Sequence, residues 1–152
     1  MEVALCDDSE VFLEGMRLHL EGVELVESVT TFSNLREFLD SVRAGRCFDV
    51  VFMDIDWKDN VTGLQAAEEL CKLCPNARVI YVTGYVDKFL QTAFLKQTNL
   101  SGFLTKPVDR ELLRANLQKV ADAQAYDTNP AVLLKQNGSL ITVYKRNKFC
   151  GK

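Results

Sequence analysis

The sequence predicts an α/β fold: a doubly wound parallel sheet of five strands, followed by a C-terminal β-hairpin segment. Three observations carry this reading. Short apolar runs alternate with segments of helical period, five times over. The third and fourth runs, "FDVVFMD" and "RVIYVT", are apolar almost throughout, as strands become when helices cover both faces of a parallel sheet. The chain has 152 residues, 47% hydrophobic and 26% charged, which is one domain's worth of ordinary globular composition.

In order, "VALC" (3–6) is the first strand, and "SEVFLEGMRLHL" follows it with Phe12, Met16 and Leu20 recurring on one helix face. The second run, "ELVESV", leads into "SNLREFLDSVRAG", where Ser33 suits an N-cap and Gly45 stands just past the helix end. "FDVVFMD" precedes "GLQAAEELCKLC", a helix that Pro75 stops. "RVIYVT" precedes "DKFLQTAFLKQ". "GFLT" precedes a helix of about Asp109 to Ala123 that buries Leu113, Leu117 and Val120. These five βα units fill residues 1–124. Residues 125–130 contain "YDTNP" and read as a linker; "AVLLKQNGSLITVYKRNKF", within 131–152, reads as a hairpin turning at Asn137 and Gly138. Two strands alone are marginal in water, so the hairpin needs a partner sheet.

Composition narrows the function classes. No apolar stretch approaches the ~18 residues of a membrane span. The start, "MEVALCDDSE", carries acids where a signal peptide carries basic residues, so a cytoplasmic location without a membrane partner is expected. The five cysteines are odd in number and sparse, which points to reduced thiols. Cys71 and Cys74 form a Cys-x-x-Cys pair; buried helix cysteines are the plainer reading, a zinc or redox site the alternative. His19, the single histidine, reads as a side chain on an amphipathic helix. Charge is uneven: residues 1–130 hold 21 acidic and 13 basic side chains, while 131–152 hold five basic and no acidic ones.

In a doubly wound fold, chemistry lies at the carboxyl ends of the strands. The residues leaving those ends are Asp7 and Asp8, Asp54 and Asp56, Thr83, and Lys106. Carboxylates brought together repel, and a hard divalent cation relieves them. Mg2+ suits such oxygen ligands, and no Walker-type phosphate loop is present. A carboxylate can also serve as nucleophile toward a phosphoryl group. Asp54, the first polar group at the end of a central strand, is the candidate, with Lys106 and Thr83 placed to stabilise the charge that develops. Singly, each residue has a plainer reading: Asp7 and Asp8 as helix caps, Thr83 with Gly84 as a turn, Lys106 as a surface charge.

Taken together, "LCDDSE", "VFMDID", "YVTGY" and "FLTKP", with 46 residues from Asp8 to Asp54, 29 on to Thr83 and 23 more to Lys106, resemble the receiver domain of two-component response regulators. The resemblance spans residues 1–124. It implies the flavodoxin-like strand order 2-1-3-4-5, Asp54 as acceptor of phosphate from a histidine kinase, and Mg2+ held by Asp7, Asp8, Asp54 and the backbone carbonyl of Asp56. It implies that Thr83 and Lys106 bind the phosphoryl group, that the Lys106–Pro107 peptide is cis, and that Phe103 sits at the aromatic switch position. Thr83 and Phe103 would then reshape the face built from the fourth helix, fifth strand and fifth helix, favouring a homodimer on phosphorylation. The protein would be no enzyme in the ordinary sense, but a phosphoacceptor that promotes its own phosphorylation and dephosphorylation.

The chain departs from the family in one loop: Lys58 stands where the family has Pro, and Gly63 comes one residue late, so "DWKDNVT" is longer and more polar. The "SGFLTKPVD" context with a basic hairpin after the linker resembles response regulators of the LytTR type, whose output is a β-rich DNA-binding domain. Residues 131–152 would supply its opening strands, so DNA binding is expected only through a complete output domain. Two other classes compete. A haloacid dehalogenase-like phosphohydrolase also opens with Asp-x-Asp after an apolar strand, but Lys58 breaks its motif and its acidic pair lies late in the chain. A receiver-like interaction module without phosphate chemistry is at odds with the intact Asp8, Asp54, Thr83 and Lys106 set.

Overall fold

The computed structural model describes residues 1–55, 57, 62–84, 100–122 and 140–142. Its strands are β1 (Glu2–Cys6), β2 (Ser28–Phe32), β3 (Val50–Asp54), β4 (Arg78–Thr83), β5 (Leu100–Thr105) and β6 (Leu140–Thr142). Its described helices are α1 (Glu10–Glu21), α2 (Leu35–Arg43), α3 (Gly63–Leu73) and α4 (Arg110–Asp122), the last matching the fifth helix of the sequence pattern. The fourth, "DKFLQTAFLKQ", lies outside the described residues.

The sheet runs β2-β1-β3-β4-β5-β6, with the first five strands parallel, as the sequence leads one to expect. Strand period 2 sorts the core onto two faces. Ala4, Cys6, Val51, Met53, Val79 and Tyr81 point toward α2 and α3, packing with Phe38, Leu39 and Leu70. Val3, Leu5, Val50, Phe52, Ile80 and Val82 point the other way, onto Leu13, Met16 and Leu20 of α1 and Leu113 and Leu117 of α4. Every residue of β3 and β4 is buried, which explains their unbroken apolar character.

Several details differ from the sequence reading. β2 begins at Ser28, four residues after the start of "ELVESV", because the β1 register pairs Glu2 with Ser28 and Cys6 with Phe32. The α2 cap is Asn34 instead of Ser33: its side chain accepts from the Arg36 and Glu37 amides, at 2.7 and 3.4 Å. On α1 the buried apolar residues are Leu13, Met16 and Leu20, while Phe12 is half-buried at the rim. A sixth strand joins the sheet: β6 runs antiparallel along β5, pairing Leu104 with Leu140 and Gly102 with Thr142. The open edge of β5 has backbone groups to satisfy, and residues 140–142 meet them. The rest of the tail, with its turn at Asn137–Gly138, lies outside the described residues, as does the linker.

The cysteines also depart from expectation. Cys47 and Cys74 form a disulfide, with Cα atoms 5.8 Å apart, and Cys71 is not a free thiol either. Among the described residues only Cys6, buried at the end of β1, is free. The sequence reading of reduced thiols missed this because 27 residues separate the pair, which the α2–α3 packing brings together.

Candidate functional site

The strand order reverses between β1 and β3, which lie side by side although β2 intervenes in sequence. This is where a doubly wound sheet opens a crevice at its carboxyl edge. β1 delivers Asp7 and Asp8 there, and β3 delivers Asp54. One carboxylate oxygen from each of the three lies within 4.8 Å of the others.

Each acid is held differently. Asp7 is 1% exposed; its amide donates to the Phe32 carbonyl at 3.1 Å, and its Oδ1 accepts from the Ser9 amide at 2.8 Å. Asp8 is half-buried, and its Oδ2 is buried with no hydrogen-bond partner. A buried, unsatisfied carboxylate oxygen beside two more carboxylates is the donor set that a hard cation completes. Asp54 is 4% exposed at the last position of β3, and its carbonyl accepts from the Trp57 indole at 2.8 Å. Gly63, at the start of α3, lies so close beneath that a Cβ there would collide with the Asp54 carbonyl oxygen. Both contacts are to the Asp54 carbonyl and hold the backbone there.

The cation opposite is Lys106. Its Nζ lies 2.6 Å from Asp7 Oδ2 and 3.8 Å from Asp54 Oδ1, and it rests over the Phe12 ring at 4.3 Å from the centroid. The Lys106–Pro107 peptide is cis, and the Lys106 amide donates to the Thr83 carbonyl at 2.7 Å. That bond ties the end of β4 to the segment leaving β5. Thr83, 1% exposed, ends β4 opposite Thr105 of β5. Cys6 borders the crevice from below; burial, and then the charge of Asp7, push its thiol well above the usual range, so it stays protonated and inert.

Asp7, Asp8, Asp54, Thr83 and Lys106 therefore end at one edge of the sheet, with the first three and Lys106 in direct proximity. Asp56 lies outside the described residues, as do Lys58 and Asp59. Phe103 is placed on β5 between Tyr81 and Ile141, and its ring lies outside what the structure describes. Sequence reasoning missed Trp57 and Phe12. Trp57 stands alone in a polar loop and Phe12 was assigned to the core; neither position signals a contact to the loop ends.

The chemistry open to this edge is limited and specific. It offers a buried carboxylate with a fixed backbone, a second and third carboxylate that fit a divalent cation, and an ammonium within reach of the first. There is no imidazole or thiol nucleophile among the described residues at the edge, since His19 is on α1 and Cys6 is buried.

Comparison with known proteins agrees with this fold. The family model of the response regulator receiver domain matches residues 3–118. Among solved structures, the chain is similar to a response regulator receiver protein from Sinorhizobium medicae, at 22% identity and a TM-score of 0.69 over 81% of this chain and 95% of that one. It is similar to a response regulator receiver domain protein from Clostridium thermocellum, at 24% identity and a TM-score of 0.69, covering 80% and 94% of the two chains. The signal receiver domain of a modulated diguanylate cyclase from Desulfovibrio desulfuricans shares 22% identity, with a TM-score of 0.68 over 80% and 93%. At these identities the structures show the fold alone. No curated protein sequence matches the chain.

Proposed function

Because this chain belongs to the response regulator receiver family, we propose that it is a phosphorylation-operated switch whose phosphoacceptor is Asp54. One observation carries the proposal: the Asp54 carboxylate sits buried at a strand end, clustered with two further carboxylates and with Lys106 Nζ, which pairs with Asp7, 3.8 Å away. An Asp54 oxygen attacks the phosphorus of a phosphodonor, the bond from phosphorus to the donor atom breaks, and an acyl phosphate remains. From a histidine kinase the leaving group is an imidazole nitrogen. In this reading Lys106 balances charge on the incoming phosphoryl oxygens, and Thr83, whose carbonyl accepts from the Lys106 amide, donates its hydroxyl. Asp7, Asp8 and Asp54 would hold Mg2+, with the Asp56 carbonyl as a further ligand; the cation supplies charge neutralisation for the transferring group.

A protein phosphodonor needs a surface beside this edge. A groove of about 240 Å³ lined by Val11, Phe12, Gly15, Met16, His19, Pro107 and Val108 adjoins Lys106, and Val11 is 86% exposed at its rim. An apolar groove next to the acceptor supports a histidine kinase as partner.

For the output, acylation adds charge of about −1.5 to −2 at a buried edge, if it ionises like other phosphorylated side chains. Thr83 and Phe103 are the proposed relay to the face formed by the fourth helix of the sequence pattern, β5 and α4, and homodimerisation the proposed consequence. We assign residues 1–124 to the receiver, 125–130 to a linker and 131–152, of which residues 140–142 pair with β5, to the opening of a LytTR-like, DNA-binding output domain that regulates transcription. The resemblance of "SGFLTKPVD" with its basic sequel supports that assignment. A cytoplasmic setting follows from the kinase reading.

Intact mass after incubation with acetyl phosphate and Mg2+ tests the proposal. The expected result is an alkali-labile phosphoryl adduct that needs Mg2+ and is absent from Asp54→Ala. No adduct on a folded wild-type chain would leave a non-phosphorylated interaction module; steady phosphate release from small phosphoesters would favour a hydrolase.

A further inference from the structure

We propose that Cys47 and Cys74 form a reversible redox site, a modification site at the edge of the sheet opposite the acidic cluster. The placement follows from the topology. Cys47 precedes β3 by three residues and Cys74 caps the C-terminus of α3, so both lie at the amino ends of the strands. The helix between the two edges is α3: its first residue, Gly63, presses on the Asp54 carbonyl, and its last turn leads to Cys74.

Three features mark the bond as one that is made and broken rather than a permanent staple. Cys47 is exposed while Cys74 is 4% exposed, so one cysteine lies at the surface and the other is shielded from over-oxidation. Both cysteines stand at element ends outside the sheet ladder, so opening the bond need not disturb the sheet's pairing. The fold also has two apolar clusters on either face of its sheet and does not depend on a cross-link as small secreted scaffolds do.

The chemistry balances with a peroxide as oxidant. The Cys47 thiolate attacks one peroxide oxygen, the O–O bond breaks, and water leaves after protonation, giving a sulfenic acid. The Cys74 sulfur then attacks the Cys47 sulfur, the S–O bond breaks, and a second water leaves. The two sulfurs together give up the two electrons that the peroxide gains. A dithiol reductant reverses the bond by exchange from the side of the exposed Cys47.

The test uses the full chain, with Asp54→Ala in parallel so that the outcome does not depend on phosphoryl transfer. Reduced protein is treated with stoichiometric hydrogen peroxide, alkylated, and digested without reductant. The expected result is a peptide pair joined through Cys47 and Cys74. Formation of that bond accounts for a mass loss of about 2 Da, for two hydrogens removed, and dithiothreitol restores the mass. The joined pair should be absent from Cys47→Ser and present in Cys71→Ser. A link that resists dithiothreitol in the folded protein would make it a fixed staple and overturn the proposal. So would oxidation that halts at a sulfinic acid on Cys47, a link confined to other cysteine pairs, or thiols that stay unreactive because they retain zinc through desalting.

Discussion

Lys106 faces two acids at once: Asp7, with which it forms a 2.6 Å ion pair, and Asp54, 3.8 Å away. Both acids are almost without solvent, while the lysine side chain is 26% exposed. Replacing Lys106 with Met leaves Asp7 a buried carboxylate that, among the described residues, retains only the Ser9 amide. The expected cost is about 1–2 kcal/mol in denaturant unfolding, below the value for a fully buried pair because water reaches the ammonium. Combining it with Asp7→Asn should cost less than the two changes separately, since the second removes the charge that the first strands. Phosphoryl adduct formation should fall in Lys106→Met even where the protein is folded. The five polar residues of this edge were legible in the sequence for a physical reason: each is the first or second polar group after a run too apolar to be anything but a buried strand. Trp57 was not legible, because its bond to the Asp54 carbonyl depends on the path of a loop that no periodicity describes.

Among the elements, α1 has two working faces. Leu13, Met16 and Leu20 enter the core, and Ser9 caps the helix by accepting from the Phe12 amide at 3.2 Å. On the far side Val11 is exposed beside Pro107 and Val108, at the rim of the groove next to Lys106. A substitution there separates docking from chemistry. Val11→Asp should leave stability within about 0.5 kcal/mol, as surface changes do. It should reduce phosphoryl transfer from a histidine kinase about tenfold or more, if Val11 is an anchor worth roughly 1.4 kcal/mol. Its reaction with acetyl phosphate should be unchanged. Equal loss with both donors would move Val11 into the site itself, and no loss with either would remove this groove as the docking surface. At this scale the described helices and the central strands were readable from their periods, with boundaries displaced where a register or a cap decides them, as for β2 and Asn34. The Cys47–Cys74 bond and the pairing of β6 with β5 were not readable, because each joins segments far apart in sequence through packing that has no local signal.

Across the whole molecule, the acidic edge sets binding against stability. Oxygens of Asp7, Asp8 and Asp54 lie within 4.8 Å of one another, and Lys106 is the cation paired with them among the described residues. Carboxylates this close repel one another, and the Asp8 Oδ2 has no hydrogen bond to offset its burial. Removing that charge should therefore stabilise the metal-free protein, as often happens when a functional site is relieved of strain. In EDTA, Asp8→Asn is expected to exceed wild type by about 1 kcal/mol, a fraction of the ~4 kcal/mol that two unit charges 4 Å apart exchange at an effective dielectric of 20. Saturating Mg2+ should reverse the order. A cation that binds the folded chain alone adds about 2.7 kcal/mol at a hundred times its dissociation constant, and the variant, missing one ligand charge, should gain far less. Thermal unfolding of both proteins with EDTA and with Mg2+ checks the crossing. If Asp8→Asn were the less stable protein in EDTA, Asp8 would have a structural partner and the edge would not be held in readiness for a metal.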